Sequence, residues 1–313
     1  LTGWGAPSVT LLPPGVDVAR CGPPDVHPAL VIEIPHGATE EADFTQLAAQ
    51  LEGPHPEGLV EFFHVNTDVG APELGQALGR QWMIRRPTEA VLILRCRVPR
   101  TFLDCNRQWG AEAVELEDSA LSGRSVTGRV TPGMMPWVTS PADQALLFER
   151  YRAYQDAVEA TRDRLLPQAL LLQLHSYAPR SLDVAVDLDI VTSLRAAYRP
   201  ERVETWPLRP PLDLIHRLPD GRSLAPEGLI EALKTAFEGV ETVADGATYP
   251  LHPATTAHAH AQRYPSRVAC LEVRRDLLTS EFVPLRPVRI DAARVERIAA
   301  PLAAALGALF GDR

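Results

Sequence analysis

Two histidines, His36 and His175, each stand just beyond a short apolar run, Leu30–Ile34 for the first and 169–174 for the second. Runs of that length and composition read as strands buried on both faces. In open α/β sheets the carboxyl edge of the strands is where ligands bind, so one sheet can present both imidazoles to a shared divalent metal ion. A histidine at a strand end also serves simply as a hydrogen-bonded structural residue, and the pattern needs support from elsewhere in the chain.

Four segments supply it. Asp104-Cys105-Asn106-Arg107 follows closely on Arg97 and Arg100; three arginines beside an asparagine can clamp a substrate carboxylate through charge-assisted, bidentate hydrogen bonds, or can form ion pairs on a solvated edge strand. Asp68 precedes a tight glycine turn in Asn66-Thr67-Asp68-Val69-Gly70-Ala71, where it can face the histidines or cap the helix that follows. The third segment is Gln173-Leu174-His175-Ser176-Tyr177. In the fourth, Glu272 sits between Leu271 and Val273; a carboxylate set in so apolar a strand should face a cavity, where desolvation raises its pKa toward the range of a general base. The plainer alternative pairs Glu272 with Arg274.

Taken in order, Pro35-His36-Gly37, Asp68 before Gly70-Ala71, Arg97 with Arg100, Asp104-x-Asn106-Arg107, His175-Ser176 and Glu272 resemble the N-formylglutamate amidohydrolase family, a branch of the zinc-carboxypeptidase-like superfamily. The resemblance implies an α/β fold, three-layer α/β/α with a mixed, largely parallel sheet, and one catalytic Zn2+. It implies His36 and His175 as nitrogen ligands, a carboxylate as third ligand and water in an open fourth position. The superfamily's carboxypeptidases carry that carboxylate three residues after the first histidine, where this chain has Thr39. Asp68 is therefore the preferred ligand, with Glu40 or Glu41 as substitutes. The family often has Pro-His-Ser-Gly or Pro-His-Thr-Gly where this chain reads Pro35-His36-Gly37-Ala38, and an aspartate at the position of Gln173. Gln173 would then orient His175 through its amide oxygen.

The activity implied is metal-dependent hydrolysis of the amide bond of an N-acyl amino acid such as N-formylglutamate. In that reading Glu272 is the general base, Arg100 stabilises the oxyanion, and Arg97, Asn106 and Arg107 hold a small-molecule carboxylate substrate. A carboxypeptidase-like peptidase acting on small peptides is the competing enzyme, and a metal-poor carboxylate binder without catalysis is the competing class.

The elements that must position these groups follow from pattern. Strands are expected at Leu30–Ile34, 59–65, 91–94, 101–103, 169–174, 184–191, 240–243 and 268–273. Pro72 and Glu73 open a helix. Ser140-Pro141-Ala142-Asp143 starts another, with Ser140 as N-cap and Asp143 against the helix dipole; its buried face is Leu147, Tyr151, Tyr154, Val158 and Leu165, and Pro167 ends it. Helices are also expected at 225–237 and 292–310. The glycine- and proline-rich stretch 119–139 reads as a long loop of the kind that forms lids, and 247–264, with His252, His258 and His260, as a surface loop or part of a pocket wall. Strands alternating with helices argue for one covered sheet, and no repeat or linker divides the 313 residues, so a single catalytic domain is expected.

Composition narrows the partners. A 45% apolar content supports a large core. The formal charge of −9 gives no basic surface for nucleic acid. All basic residues but Lys234 are arginine, as carboxylate recognition or a GC-rich genome would each produce. Four scattered cysteines suggest neither disulfides nor a structural zinc site, and no apolar run is long enough to span a bilayer. A cytoplasmic setting is the expectation.

Overall fold

The computed structural model describes residues 8–11, 15–109, 114–115, 129–130, 132–166 and 168–310. The first half runs β1 (Ser8–Leu11), β2 (Val16–Cys21), β3 (Leu30–Ile34), α1 (Glu41–Ala48), α2 (Leu59–Asn66), α3 (Ala71–Arg85), β4 (Val91–Cys96), the short pair β5 (Val114–Glu115) and β6 (Arg129–Val130), and α4 (Pro141–Leu165). The second half runs β7 (Leu170–Tyr177), α5 (Ile190–Ala197), α6 (Pro200–Val203), β8 (Leu212–Leu214), α7 (Leu229–Ala236), β9 (Val243–Asp245), α8 (Thr256–Arg263), β10 (Val268–Arg274) and α9 (Ala292–Ala308). Among the described residues no helix is long and apolar enough to cross a membrane.

Among the described residues, eight strands form one mixed sheet in the order β1-β2-β4-β3-β7-β10-β8-β9. The central pairs β4/β3, β3/β7 and β7/β10 are parallel, as is β8/β9, so the carboxyl ends of four adjacent strands open at one edge. Each central strand divides its residues between two cores by the two-residue period of a strand. Leu30, Ile32 and Ile34 of β3, with Leu170, Leu172 and Leu174 of β7, pack beneath α3, α7 and α9. Val31 and Leu171 face the opposite layer, built on α1, α2, α4, α5 and α8. The arrangement is the expected α/β/α sandwich, and the same alternation puts Glu33, Gln173, His175 and Glu272 on the second face.

Several local expectations need correction. Segment 59–65 is helix α2, because Leu59, Phe62 and Phe63 are the residues it buries, at helical rather than alternating spacing. Residues 101–103 are a turn closed by the Phe102 and Leu103 N–H groups on the Pro99 carbonyl, with only an isolated bridge from Leu103 to Met134. Segment 184–191 is irregular until α5 begins at Ile190, and 240–243 yields only the start of β9. Region 247–264 contains helix α8, with His260 buried. At the start of α4, Ser140 makes no side-chain cap; Asp143 accepts instead from the Glu52 and Gly53 N–H groups at 2.8 and 2.9 Å. Of the expected lid, residues 119–128 and 131 lie outside the described residues, as does Pro167.

Candidate active site

Beyond β3 the chain turns through Pro35 and His36 so tightly against β4 that a Cβ at Gly37 would lie 2.6 Å from Arg95 Cγ and 3.0 Å from the Cys96 carbonyl oxygen. Only glycine permits that approach, and it fixes His36 at the sheet edge. His175 belongs to β7 itself. Asp68 follows α2 in the turn that leads through Gly70, at φ 89°, into α3.

The three side chains meet. His175 Nδ1 lies 2.8 Å and His36 Nδ1 3.3 Å from the same oxygen of Asp68, the rings are 5.0 Å apart, and one donor atom from each residue falls within 4.8 Å of the others. All three are buried, with 2–3% exposure. The far nitrogen of each ring faces an oxygen: His36 Nε2 is 2.7 Å from Asp104 Oδ1, and His175 Nε2 is 3.1 Å from Gln173 Oε1. Those oxygens are acceptors and draw the ring protons to the Nε2 atoms. Both Nδ1 lone pairs are then left pointing at a carboxylate, an arrangement that requires positive charge between them, either added protons or a cation. The two imidazoles outweigh burial and hold the Asp68 carboxyl well below its ordinary value. Donor types, convergence and oriented far nitrogens all fit a three-ligand divalent site. Glu40 and Glu41 are elsewhere: Glu40 pairs with Arg95 and Arg97 at 3.1 and 3.2 Å, and Glu41 lies 3.8 Å from His64.

Glu272 is the register partner of His175 across β10 and β7. Its Oε2 is buried and makes no hydrogen bond among the described residues, and burial, opposed by His175, pushes the carboxyl up to about 7. Arg274 does not pair with it; its Nε donates to Asp276 at 2.7 Å.

These groups line a cavity of about 550 Å³, together with Arg100, Asn106, Arg107, Arg209, Tyr249 and Arg275. Asp104, fully buried, organises one wall: it accepts from Arg100 Nε at 2.9 Å, lies 3.7 Å from Arg107 Nη1 and touches His36. Burial opposes its charge, but the two guanidiniums and His36 outweigh it and keep the carboxyl well below its ordinary range. Arg97 does not converge with them. It is bound to Asp43, with Asp17 and Glu40 beside it, and is not among the cavity residues.

Sequence reasoning did not single out Arg209 or Arg275; Tyr249 lies in the 247–264 stretch read as a surface loop or part of a pocket wall, and it lines the cavity. Arg275 Nη2 lies 3.8 Å from Asp68 Oδ1 and the same guanidinium donates to the carbonyls of Ser176 and Val65; its place directly after β10 was a usable signal. Arg209 stacks against Tyr177 and Tyr249 and donates to the Tyr249 hydroxyl at 2.6 Å. Nothing local in the sequence marks that contact, which joins residues 40 positions apart.

A sequence model of the N-formylglutamate amidohydrolase family matches residues 29–279, whereas no curated protein matches the chain. Among solved structures, N-formylglutamate amidohydrolase from Ralstonia eutropha JMP134 is similar at 18% identity and TM-score 0.55, over 93% of this chain and 97% of that one. A metallo-carboxypeptidase from Burkholderia cenocepacia aligns at 14% identity and TM-score 0.37, over 94% of this chain and 60% of its own. Succinylglutamate desuccinylase from Vibrio parahaemolyticus aligns at 12% identity and TM-score 0.36, over 96% and 76%. With the family match covering most of its length and all the site residues above, the chain belongs to the N-formylglutamate amidohydrolase family of amide hydrolases.

Proposed function

We propose that the chain hydrolyses the amide bond of an N-acyl amino acid, with N-formylglutamate as the reference substrate, using Zn2+ held by His36, Asp68 and His175. The observation that carries this reading is the unpaired, buried oxygen of Glu272 in the same cavity as the His-Asp-His cluster. A divalent cation there supplies Lewis acidity, lowering the pKa of a water and polarising the amide carbonyl. Asp104 and Gln173 orient the two imidazoles through their far nitrogens. Glu272, desolvated and lacking a competing donor, takes the proton of the attacking water and returns it to the departing nitrogen. Arg100, steadied by Asp104, brings positive charge to where the carbonyl oxygen becomes an oxyanion. Asn106 and Arg107 stand on the same wall to hold the substrate carboxylate. Arg97 is withdrawn from that role.

The reading treats the chain as one catalytic domain, supported by a sheet that draws strands from Ser8 to Arg274 and by the packing of α9 on α3 and α7. The test is zinc content together with a panel of N-formyl amino acids and dipeptides. About one zinc per chain and turnover of the formyl compounds is the expected result. No zinc after reconstitution sinks the metal centre, and turnover of dipeptides alone transfers the reaction to peptides.

A further inference from the structure

Glu33 plays no part in the chemistry above, yet it is a fully buried carboxylate at the centre of β3, on the sheet face that carries the site. Three groups surround it. The Tyr154 hydroxyl donates to Oε1 at 2.8 Å, His260 Nε2 lies 3.5 Å from Oε2, and Gln173 is its register partner on the neighbouring strand β7. Arg162 Nη1 donates to His260 Nδ1 at 2.9 Å, which leaves a ring proton on Nε2, facing Glu33. Burial works against the charge, but His260, Tyr154 and Gln173 outweigh it and hold the carboxyl below its ordinary value.

Tyr154 and His260 end in the core; Gln173 leads to the site. The Thr256 hydroxyl donates its one proton to Asn106 Oδ1 at 2.7 Å, so it can only accept from Gln173 Nε2, which lies 3.2 Å away. That fixes the amide: its NH2 faces Thr256, its oxygen faces His175 Nε2 at 3.1 Å, and Glu33 stands at the same register on the adjacent strand. A negative charge beside the NH2 end of an amide polarises it and makes the oxygen a stronger acceptor.

We propose that Glu33 is a positioning residue for the metal centre, its negative charge passing through the Gln173 amide to strengthen the hydrogen bond donated by His175 Nε2 and so make His175 Nδ1 a stronger ligand. The inference rests on the metal-centre reading, and it concerns metal affinity, which can be read without turnover.

The test is zinc affinity of the purified full chain, measured by competition with a chromogenic chelator, with circular dichroism to verify folding. Glu33→Gln keeps the shape and removes the charge; about a tenfold loss of affinity is expected. The double variant Glu33→Gln/Gln173→Asp places a carboxylate directly on His175 and is expected to regain wild-type affinity or better, a rescue that a merely structural role for Glu33 does not produce. Affinity of folded Glu33→Gln within about twofold of wild type, or a double variant as weak as the single, overturns the proposal. If Glu33→Gln does not fold, Gln173→Met cuts the same link while leaving Glu33 with Tyr154 and His260, and unchanged affinity there is equally fatal. A wild-type chain that binds no zinc overturns the metal centre itself, and this inference with it.

Discussion

Glu272 and His175 are register partners on adjacent parallel strands, and both side chains leave the sheet on the same face, one with an unpaired oxygen and the other aimed at Asp68. Neighbouring strands lie about 4.8 Å apart, so pairing alone brings the Glu272 carboxylate within reach of the proposed metal ligands, with no loop needed to position it.

Glu272→Gln is expected to retain zinc and lose turnover by about 10²- to 10⁴-fold, the usual worth of a positioned general base. Metal content and kcat are measured on the same preparation. Full turnover by a zinc-loaded variant removes Glu272 from the mechanism.

The base works only when ionised, and burial pushes its carboxyl up to about 7. A nearby divalent cation favours the charged form and lowers that value. The kcat/KM profile should therefore fall on the acid side with a limb at about 7 or lower. A limb well above that value contradicts the assignment.

Much of this site was legible because strands buried on both faces show as short apolar runs. In β7, Leu171, Gln173 and His175 share a face, and the apolar run ahead of them marks the strand without help from the rest of the chain. Direction and partnership were less legible. Arg97 and Arg100 are three residues apart in sequence, yet one turns to Asp43 and the other to Asp104, since the turn at 99–103 separates them and its geometry depends on long-range packing. Likewise Asp104 reaches His36 across 68 positions, a contact set by topology. Helix α2 escaped because Leu59, Val60, Phe62, Phe63 and Val65 read as an apolar, β-branched and aromatic run, although Glu61 and His64 stand three apart, at helical spacing.

Chelator treatment should abolish activity, and added Zn2+ should restore it. The holo form should also be the more stable: ligand at about 100 times its Kd adds about 2.7 kcal/mol, visible as a higher melting temperature. Replacing Asp68 with alanine should remove that increment, because it leaves two imidazoles with no shared carboxylate. An unchanged melting temperature with and without zinc in the wild type counts against the centre.

Arg107 and Arg97 should separate cleanly. Arg107→Ala removes a hydrogen-bonding cation from the cavity wall; charged hydrogen bonds are worth about 1.5–3 kcal/mol, so KM should rise by about one to two orders of magnitude. Arg97→Ala should leave KM unchanged and lower stability instead, by about 1–3 kcal/mol, because Asp43 is buried and loses its guanidinium partner. Equal effects of the two substitutions on KM would restore Arg97 to the site.

Away from the cavity, Arg217 donates to both oxygens of Asp245 at 3.0 and 2.7 Å, and His216 Nε2 lies 2.5 Å from Oδ1. Arg217, opposed by partial burial and aided by His216, holds the carboxyl at about 2 against an ordinary 3.8. Because the folded-state value is the lower one, the stabilisation is complete above about 4 and disappears as pH falls through about 2. The shift alone corresponds to on the order of 2 kcal/mol, which solvent screening of so exposed a group reduces to about 1 kcal/mol. Asp245→Asn should accordingly lower the melting temperature by about 2 °C at neutral pH, and the gap to wild type should close between about pH 4 and pH 2. A gap that persists at pH 2 means the aspartate contributes through shape rather than charge.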